Sequence, residues 1–269
     1  MGKAWLILSG KGGVGKSTIA AALATALSLE KERVCVIDAD IGLRDLDILL
    51  GLENRIVYDL LDVLNGDCTL EQALIEPLEY SRLSLLPAAQ MARSSDLDPQ
   101  AFVKQLKKLK LAFDHVLIDC PTGMEEGVRA LMTDACDEVL IICTPDDMCI
   151  RNAERMLALT DEKQMKLRRL IVNRLQNDLI AAGEMYPAAT VAATLDVPLL
   201  GEIPEDPILY RALLRHRNPL SFDCEGQRAF RRIAQRMRGV TIALPAFGSH
   251  KPGLVQRLTF PRMKEVRPD

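Results

Sequence analysis

Residues 10–17 read Gly10-Lys11-Gly12-Gly13-Val14-Gly15-Lys16-Ser17, followed by Thr18. Their types and spacing suit one kind of chemistry, the cradling of a polyphosphate. Glycines let successive backbone N–H groups curl around phosphate oxygens where a Cβ would stand in the way. Lys16 adds a point charge for the β- and γ-phosphates, and the Ser17 hydroxyl is a natural Mg²⁺ ligand. The flanks agree. Trp5-Leu6-Ile7-Leu8 is an apolar run of the kind that forms a buried parallel strand. Thr18 to Leu29 is rich in Ala and Leu and predicts a helix. Phosphate would then meet a helix N-terminus, where unpaired N–H groups favour an anion. The octet implies a nucleoside triphosphate ligand.

Two further strand-like runs end in carboxylates. Val34-Cys-Val-Ile37 leads into Asp38-Ala-Asp40. Carboxylates spaced i, i+2 at a strand end can both face a metal–phosphate centre, one ordering Mg²⁺-bound water and the other a nucleophilic water. Val116-Leu-Ile118 leads into Asp119-Cys-Pro121-Thr-Gly123. An apolar strand closing on Asp is a Walker-B-like element whose carboxylate serves the Mg²⁺ shell. Pro121 and Gly123 make the following loop a turn that can change conformation.

The elements that must hold these residues alternate along the chain. Strands are predicted over Ala4–Ser9, Arg33–Ile37, Leu83–Leu86, His115–Ile118, Glu138–Cys143, Arg169–Val172 and Leu199–Ile203. Helices are predicted over Thr18–Leu29, Ile56–Leu64, Pro99–Leu111, Glu125–Asp134, Cys149–Thr160, Tyr186–Leu195, Pro207–Arg215 and Gly226–Arg238. This order predicts an α/β fold, a doubly wound, mainly parallel sheet with helices on both faces and ligand at the carboxyl ends of the strands. The 269 residues suit one α/β domain over residues 1–245 with a tail at 246–269. The seven cysteines include no C-x-x-C pair and mostly lie in apolar runs, so they read as reduced core residues of a cytosolic protein. No signal peptide precedes the first strand, and no apolar run is long enough to span a bilayer.

Charge is unevenly spread. From Pro207 onward thirteen Lys/Arg face four acids, a local net of +9, which leaves −12 on the first 206 residues of a chain whose total is −3. A basic end on an acidic body implies an anionic partner surface, lipid headgroups or nucleic acid. In the tail, Leu254, Val255 and Leu258 fall on one helical face with Phe260 nearby, and Lys251, Arg257, Arg262 and Lys264 suit anionic headgroups. Pro261 limits that helix to about two turns.

Lys11, near the start of the loop, carries a resemblance to the deviant Walker A (MinD/ParA) family of ATPases, where it is the signature lysine. Asp38-Ala-Asp40-Ile41-Gly42-Leu43-Arg44-Asp45-Leu46-Asp47 is similar to the family's switch I in its septum-placing members. Leu50-Gly51, Val57-Tyr58-Asp59, Gln72-Ala-Leu-Ile75, Leu85-Leu-Pro-Ala-Ala-Gln90 and Gly201-Glu-Ile-Pro204-Glu205-Asp206 carry the same likeness, which runs from about residue 3 to 240. The resemblance implies a P-loop NTPase fold, ATP and Mg²⁺ as ligands, and an ATP-dependent homodimer. Lys16 would serve the phosphates within a subunit and Lys11 those of the partner. Asp40 would orient the attacking water, Ser17, Asp38 and Asp119 would hold the Mg²⁺ shell, and Gly123, with Pro121, would sense the γ-phosphate. Asn173 resembles the adenine-reading Asn, with Pro204 and Asp206 also at the nucleotide. Arg44, Arg151 and Glu154 would form a surface for division-inhibitor and ATPase-stimulating partners (MinC- and MinE-like).

The resemblance further implies a slow, partner-stimulated ATPase that sits in the cytoplasm, peripheral on the inner face of the cell membrane. Its tail core, Gly253 to Phe260, is similar to the membrane-targeting tails of these members. There are departures. Asn152 and Glu154 stand where aspartates are frequent, and the tail is longer and richer in Pro. The alternative is a ParA-like partitioning or flagellar-number ATPase, with DNA or another protein as its surface. A metal-cluster carrier would need a C-x-x-C that this chain lacks.

Overall fold

The structure, a computed structural model, describes residues 1–244 apart from 125, 166 and 216, and only the backbone of residue 94. The tail residues Leu254, Val255, Leu258 and Phe260 lie outside the described residues. In chain order the elements are β1 (Lys3–Leu8), α1 (Lys16–Leu29), β2 (Val34–Asp38), α2 (Leu46–Leu50), α3 (Leu60–Asn65), α4 (Leu70–Ala73), β3 (Leu83–Leu86), α5 (Pro99–Ala112), β4 (His115–Asp119) and α6 (Glu126–Leu131). There follow β5 (Glu138–Cys143), α7 (Asp147–Glu162), β6 (Arg168–Leu175), α8 (Asn177–Ala182), α9 (Ala188–Leu195), β7 (Leu199–Pro204), α10 (Pro207–Leu214) and α11 (Glu225–Met237).

The seven strands form one sheet in the order β3-β2-β4-β1-β5-β6-β7. Every pairing between these strands is parallel, and outside them Ile75 makes one antiparallel bridge to Leu85 of β3. Strands β1 to β5 are buried almost end to end, which is why they read as continuous Val/Ile/Leu runs rather than alternating ones. The winding reverses around β1, so the crevice at the carboxyl ends of β1, β2 and β4 is the natural ligand position. Register brings the chemistry together there: Asp38 pairs with Asp119 across β2 and β4, and Ile7 of β1 lies against Asp119 on its other side. The run of alanines in α1 is buried from Ile19 to Ser28, small side chains letting the helix press onto the sheet and α11.

Local capping explains where helices differ from the pattern-based ranges. The segment predicted from Ile56 becomes helical only at Leu60, because Asp59 caps it and exchanges bonds with Asp62 in a reciprocal capping box. Pro187 caps α9, which therefore starts at Ala188 rather than Tyr186. The helix predicted over Glu125–Asp134 closes at Leu131. Helices α2, α4 and α8, of five, four and six residues, are too short to show a periodic signal. All seven cysteines are free, and only Cys68 is half-buried, the rest buried. Among the described residues no helix is long and apolar enough to cross a membrane.

Candidate nucleotide-binding and switch site

The loop from β1 to α1 is held at both ends by close backbone approach. Gly15 caps α1 in the left-handed conformation at φ 93°, and a Cβ there would lie 2.7 Å from Asn173 Nδ2. Only glycine meets both conditions. Asn173, reaching from β6, donates from Nδ2 to the Val14 carbonyl at 2.8 Å. At the other end a Cβ on Gly10 would stand 2.5 Å from the Asn152 carbonyl oxygen, so α7 rests directly on the start of the loop. Between them Gly12 and Gly13 form an open cradle, since a Cβ on either would meet nothing within 4 Å.

Lys16 opens α1 and points inward. It is 4% exposed, and its Nζ lies 2.6 Å from Asp119 Oδ1. Burial works against its charge, but the attraction of Asp119 prevails and holds the ammonium in its charged form. Burial, followed by the neighbouring Asp119 charge, pushes Asp38 up to about 7, although the Leu46 and Asp40 N–H groups donate to it. Those two bonds are 3.1 Å each. Burial also raises Asp119, with Lys16 and Ser17 opposing the shift. The half-buried Asp40 adds its charge to those around Lys16, so it faces the same centre.

Two buried carboxylates against one buried lysine leave the strand ends short of positive charge. Asp119 Oδ2 is enclosed without a hydrogen-bond partner. Among the described residues no group of three or more His, Cys, Asp or Glu could hold a metal by itself. This donor set fits Mg²⁺, which takes one or two protein carboxylates and completes its octahedron with phosphate oxygens and water. Asp38, Asp119 and Ser17 are the residues that would hold it.

Lys11 stands apart from this centre. Its side chain is 40% exposed, and its Nζ lies 3.5 Å from Asp146 Oδ1. Asp146 caps α7, accepting from the Cys149 N–H at 3.0 Å and from the Thr144 hydroxyl at 2.6 Å. It is a functional neighbour that sequence reasoning missed. An Asp just ahead of a helical pattern signals only an N-cap, and nothing local ties it to a lysine 135 residues away.

Beside the loop, where the base is expected, lies a cleft lined by Gly15, Asn173, Pro204, Asp206, Tyr210 and Leu213. Asp206 caps α10 through a 2.8 Å bond from the Ile208 N–H and also accepts from the Gly226 N–H at 3.0 Å. Beside Asn173 the pairing of β6 and β7 slips between Val172 and Leu175, and Arg174 takes φ 61°. In the loop after β4, where switch II is expected, Pro121 is buried, and Gly123 sits at φ 85° with its N–H donating to Ser9 O at 3.2 Å. The expected partner surface divides. Arg151 and Glu154 are exposed on α7, whereas Arg44 turns inward, 15% exposed, with Nε 2.9 Å from the buried Asp47.

A family model for the CobQ/CobB/MinD/ParA nucleotide-binding domain matches residues 5–220. The chain belongs to this family. Within the MinD/ParA group it is 37% identical over 262 residues to the septum site-determining protein MinD of Bacillus subtilis, covering 96% of this chain and 97% of that one. The structure of the MinC:MinD cell division protein complex from Aquifex aeolicus matches with a TM-score of 0.84 and 35% identity, over 91% of this chain and 99% of that one. MinD from Pyrococcus horikoshii, solved with Mg-ADP, matches with a TM-score of 0.78 and 28% identity over 88% and 96% of the two chains. A ParA family ATPase from Chlorobium tepidum, at 23% identity and a TM-score of 0.74 over 87% and 99%, shares the fold alone. MinD/ParA proteins are P-loop ATPases, and this chain brings the glycine cradle, the Lys16–Asp119 pair and Asp38 together at the carboxyl ends of β1, β2 and β4.

Proposed function

We propose that this MinD-like ATPase is a spatial switch in division-site selection, built as an ATP-driven homodimer that associates with an anionic membrane. The observation that carries the reading is the separation of its two loop lysines. Lys16 is committed to the buried centre of its own subunit, while Lys11 sits at the rim on a long, exposed contact. A rim lysine is free to move onto the phosphates of a second copy, so nucleotide can hold two subunits face to face. Mg²⁺, when bound, supplies charge neutralisation between the phosphates.

The chain's own residues do the rest. Lys16 fixes the phosphates in cis. Asp40, tied through its backbone to Asp38, orients the water that attacks. Gly123, bonded to Ser9 at the end of β1, lets the loop after β4 respond to the terminal phosphate. Hydrolysis removes what joins the copies, and turnover is slow until a MinE-like partner binds. Exposed Arg151 and Glu154 flank Asn152, whose backbone touches Gly10, so a MinC- or MinE-like protein on α7 acts directly on the loop. The tail from His250 to Lys264, with Leu254, Val255, Leu258 and Phe260, makes the dimer a peripheral membrane protein on the inner face of the membrane. One short tail is marginal, while two joined by ATP gain from effective concentration.

The test is sedimentation with anionic vesicles against retention on DNA, each with and without Mg-ATP. Vesicle binding that depends on ATP supports the switch, and ATP-dependent retention on DNA alone contradicts it. Asp40→Ala should trap an ATP-bound dimer, and wild-type phosphate release from that variant would remove Asp40 from its role.

A further inference from the structure

Helix α10 has two unlike sides. Leu209 is buried, and Leu213 turns in to line the base cleft. Ile208, Tyr210 and Leu214 are 42%, 62% and 64% exposed, and Tyr210 also lines the rim of the base cleft. Tyr210 and Leu214 lie one turn apart and form a stripe, and Arg211 and Arg215, also one turn apart, form the stripe beside it. Arg217 follows just beyond the helix. All three arginines are exposed, and none has an ion pair among the described residues. Nearby, Arg228 is paired with Asp223 and Glu225 and Arg238 with Glu30 and Glu32, while Arg231 on α11 is exposed without an ion pair among the described residues. An exposed aromatic–aliphatic stripe flanked by unpaired cations is the pattern of a helix lying in a lipid headgroup layer.

We infer that α10 is a second membrane contact, an anionic lipid surface being its occupant, separate from the tail and built on the wall of the nucleotide cleft. This rests on the membrane-associated reading above. Nucleic acid would use the three arginines but leave the exposed Leu214 and Ile208, which flank them on the helix, without a role, whereas a headgroup–acyl boundary uses both. The basic tail of the same chain is an unsuitable occupant, because its Lys251, Arg257, Arg262 and Lys264 would face three more cations. Asp206 caps α10 and also bonds the first turn of α11. The lipid-facing helix is thereby held to the base cleft on one side and to the body of the fold on the other.

The chain's one tryptophan, Trp5, is buried in the sheet, so a second tryptophan reports its own surroundings. Full-length Leu214→Trp is mixed with Mg-ATP and vesicles of phosphatidylglycerol and phosphatidylcholine, with and without brominated acyl chains, while sedimentation is followed in parallel. The expected result is a blue shift with quenching by the brominated lipid. In Arg211→Gln, Arg215→Gln and Arg217→Gln, each arginine removed should weaken vesicle affinity about fivefold at low salt. Sedimentation with vesicles but without shift or quenching would show the tail binding alone and overturn the α10 contact, leaving the membrane reading intact. Absence of any sedimentation would overturn both. A blue shift on Mg-ATP before vesicles are added would assign the face to a second copy and overturn the lipid contact.

Discussion

The two lysines of the loop mark two regions built on opposite principles. At the centre Lys16, Asp119 and Asp38 are buried, closely spaced and fixed by β-sheet register. At the rim Lys11 and Asp146 are about half exposed and 3.5 Å apart, and Arg151 and Glu154 face solvent. A buried charge cannot leave its partner without a large desolvation cost, whereas an exposed pair is worth little and exchanges readily. The centre therefore suits holding and polarising phosphate, and the rim suits changing partners.

The sharpest way to break this contrast is Lys16→Ala. It should abolish ATP binding in calorimetry and, by leaving Asp119 buried and unpaired, cost about 3–5 kcal/mol of stability in denaturant unfolding. If the variant is as stable as wild type, the centre is not the tightly coupled cluster described above. Asp38→Asn probes the same centre with the opposite sign. Burial and Asp119 push Asp38 up to about 7. Its folded-state pKa thus lies above the unfolded value near 4, and stability falls as pH rises between the two. Without nucleotide or metal the Asn variant should gain up to about 4 kcal/mol above pH 7 and nothing below pH 4, while losing Mg²⁺-dependent turnover.

A smaller effect sharpens the base side. Arg174 sits at φ 61°, where a side chain costs roughly 1–2 kcal/mol. Arg174→Gly should recover about 1 kcal/mol in thermal or chemical unfolding, and a loss would show that the arginine's contacts outweigh the strain. Far from the site, burial lowers the pKa of His115, whose Nδ1 accepts from Trp5 Nε1 at 3.2 Å. It must stay neutral in the folded state, so it supports stability above the unfolded histidine pKa and withdraws that support as pH falls. His115→Gln should flatten the decline of stability below about pH 6.5, and an unchanged slope would clear His115 of that role.

Much of the fold was legible because buried parallel strands leave unbroken Val/Ile/Leu runs, and all seven were found to within a few residues. The loop was legible because Gly10, Gly15 and Lys16 each answer a local backbone or charge requirement. What escaped was set by contacts distant in sequence. Asp146 gains its meaning only when α7 folds onto the loop, and Arg44 looks like a surface residue until Asp47 turns it inward. Asp59 delays α3 through a cap that periodicity does not register. Asn173, Pro204 and Asp206, expected at the nucleotide, do line one cleft, but the place of α10 in its wall depends on how Leu209 and Leu213 pack.

The central claim is that Lys16 acts within a subunit and Lys11 between subunits. Light scattering coupled to size exclusion, with calorimetry on the same samples, tests it directly for wild type and Lys11→Ala in Mg-ATP. The account predicts that wild type moves from monomer to dimer while Lys11→Ala binds ATP at near wild-type affinity and stays monomeric. A Lys11→Ala protein that dimerises normally on ATP would contradict it.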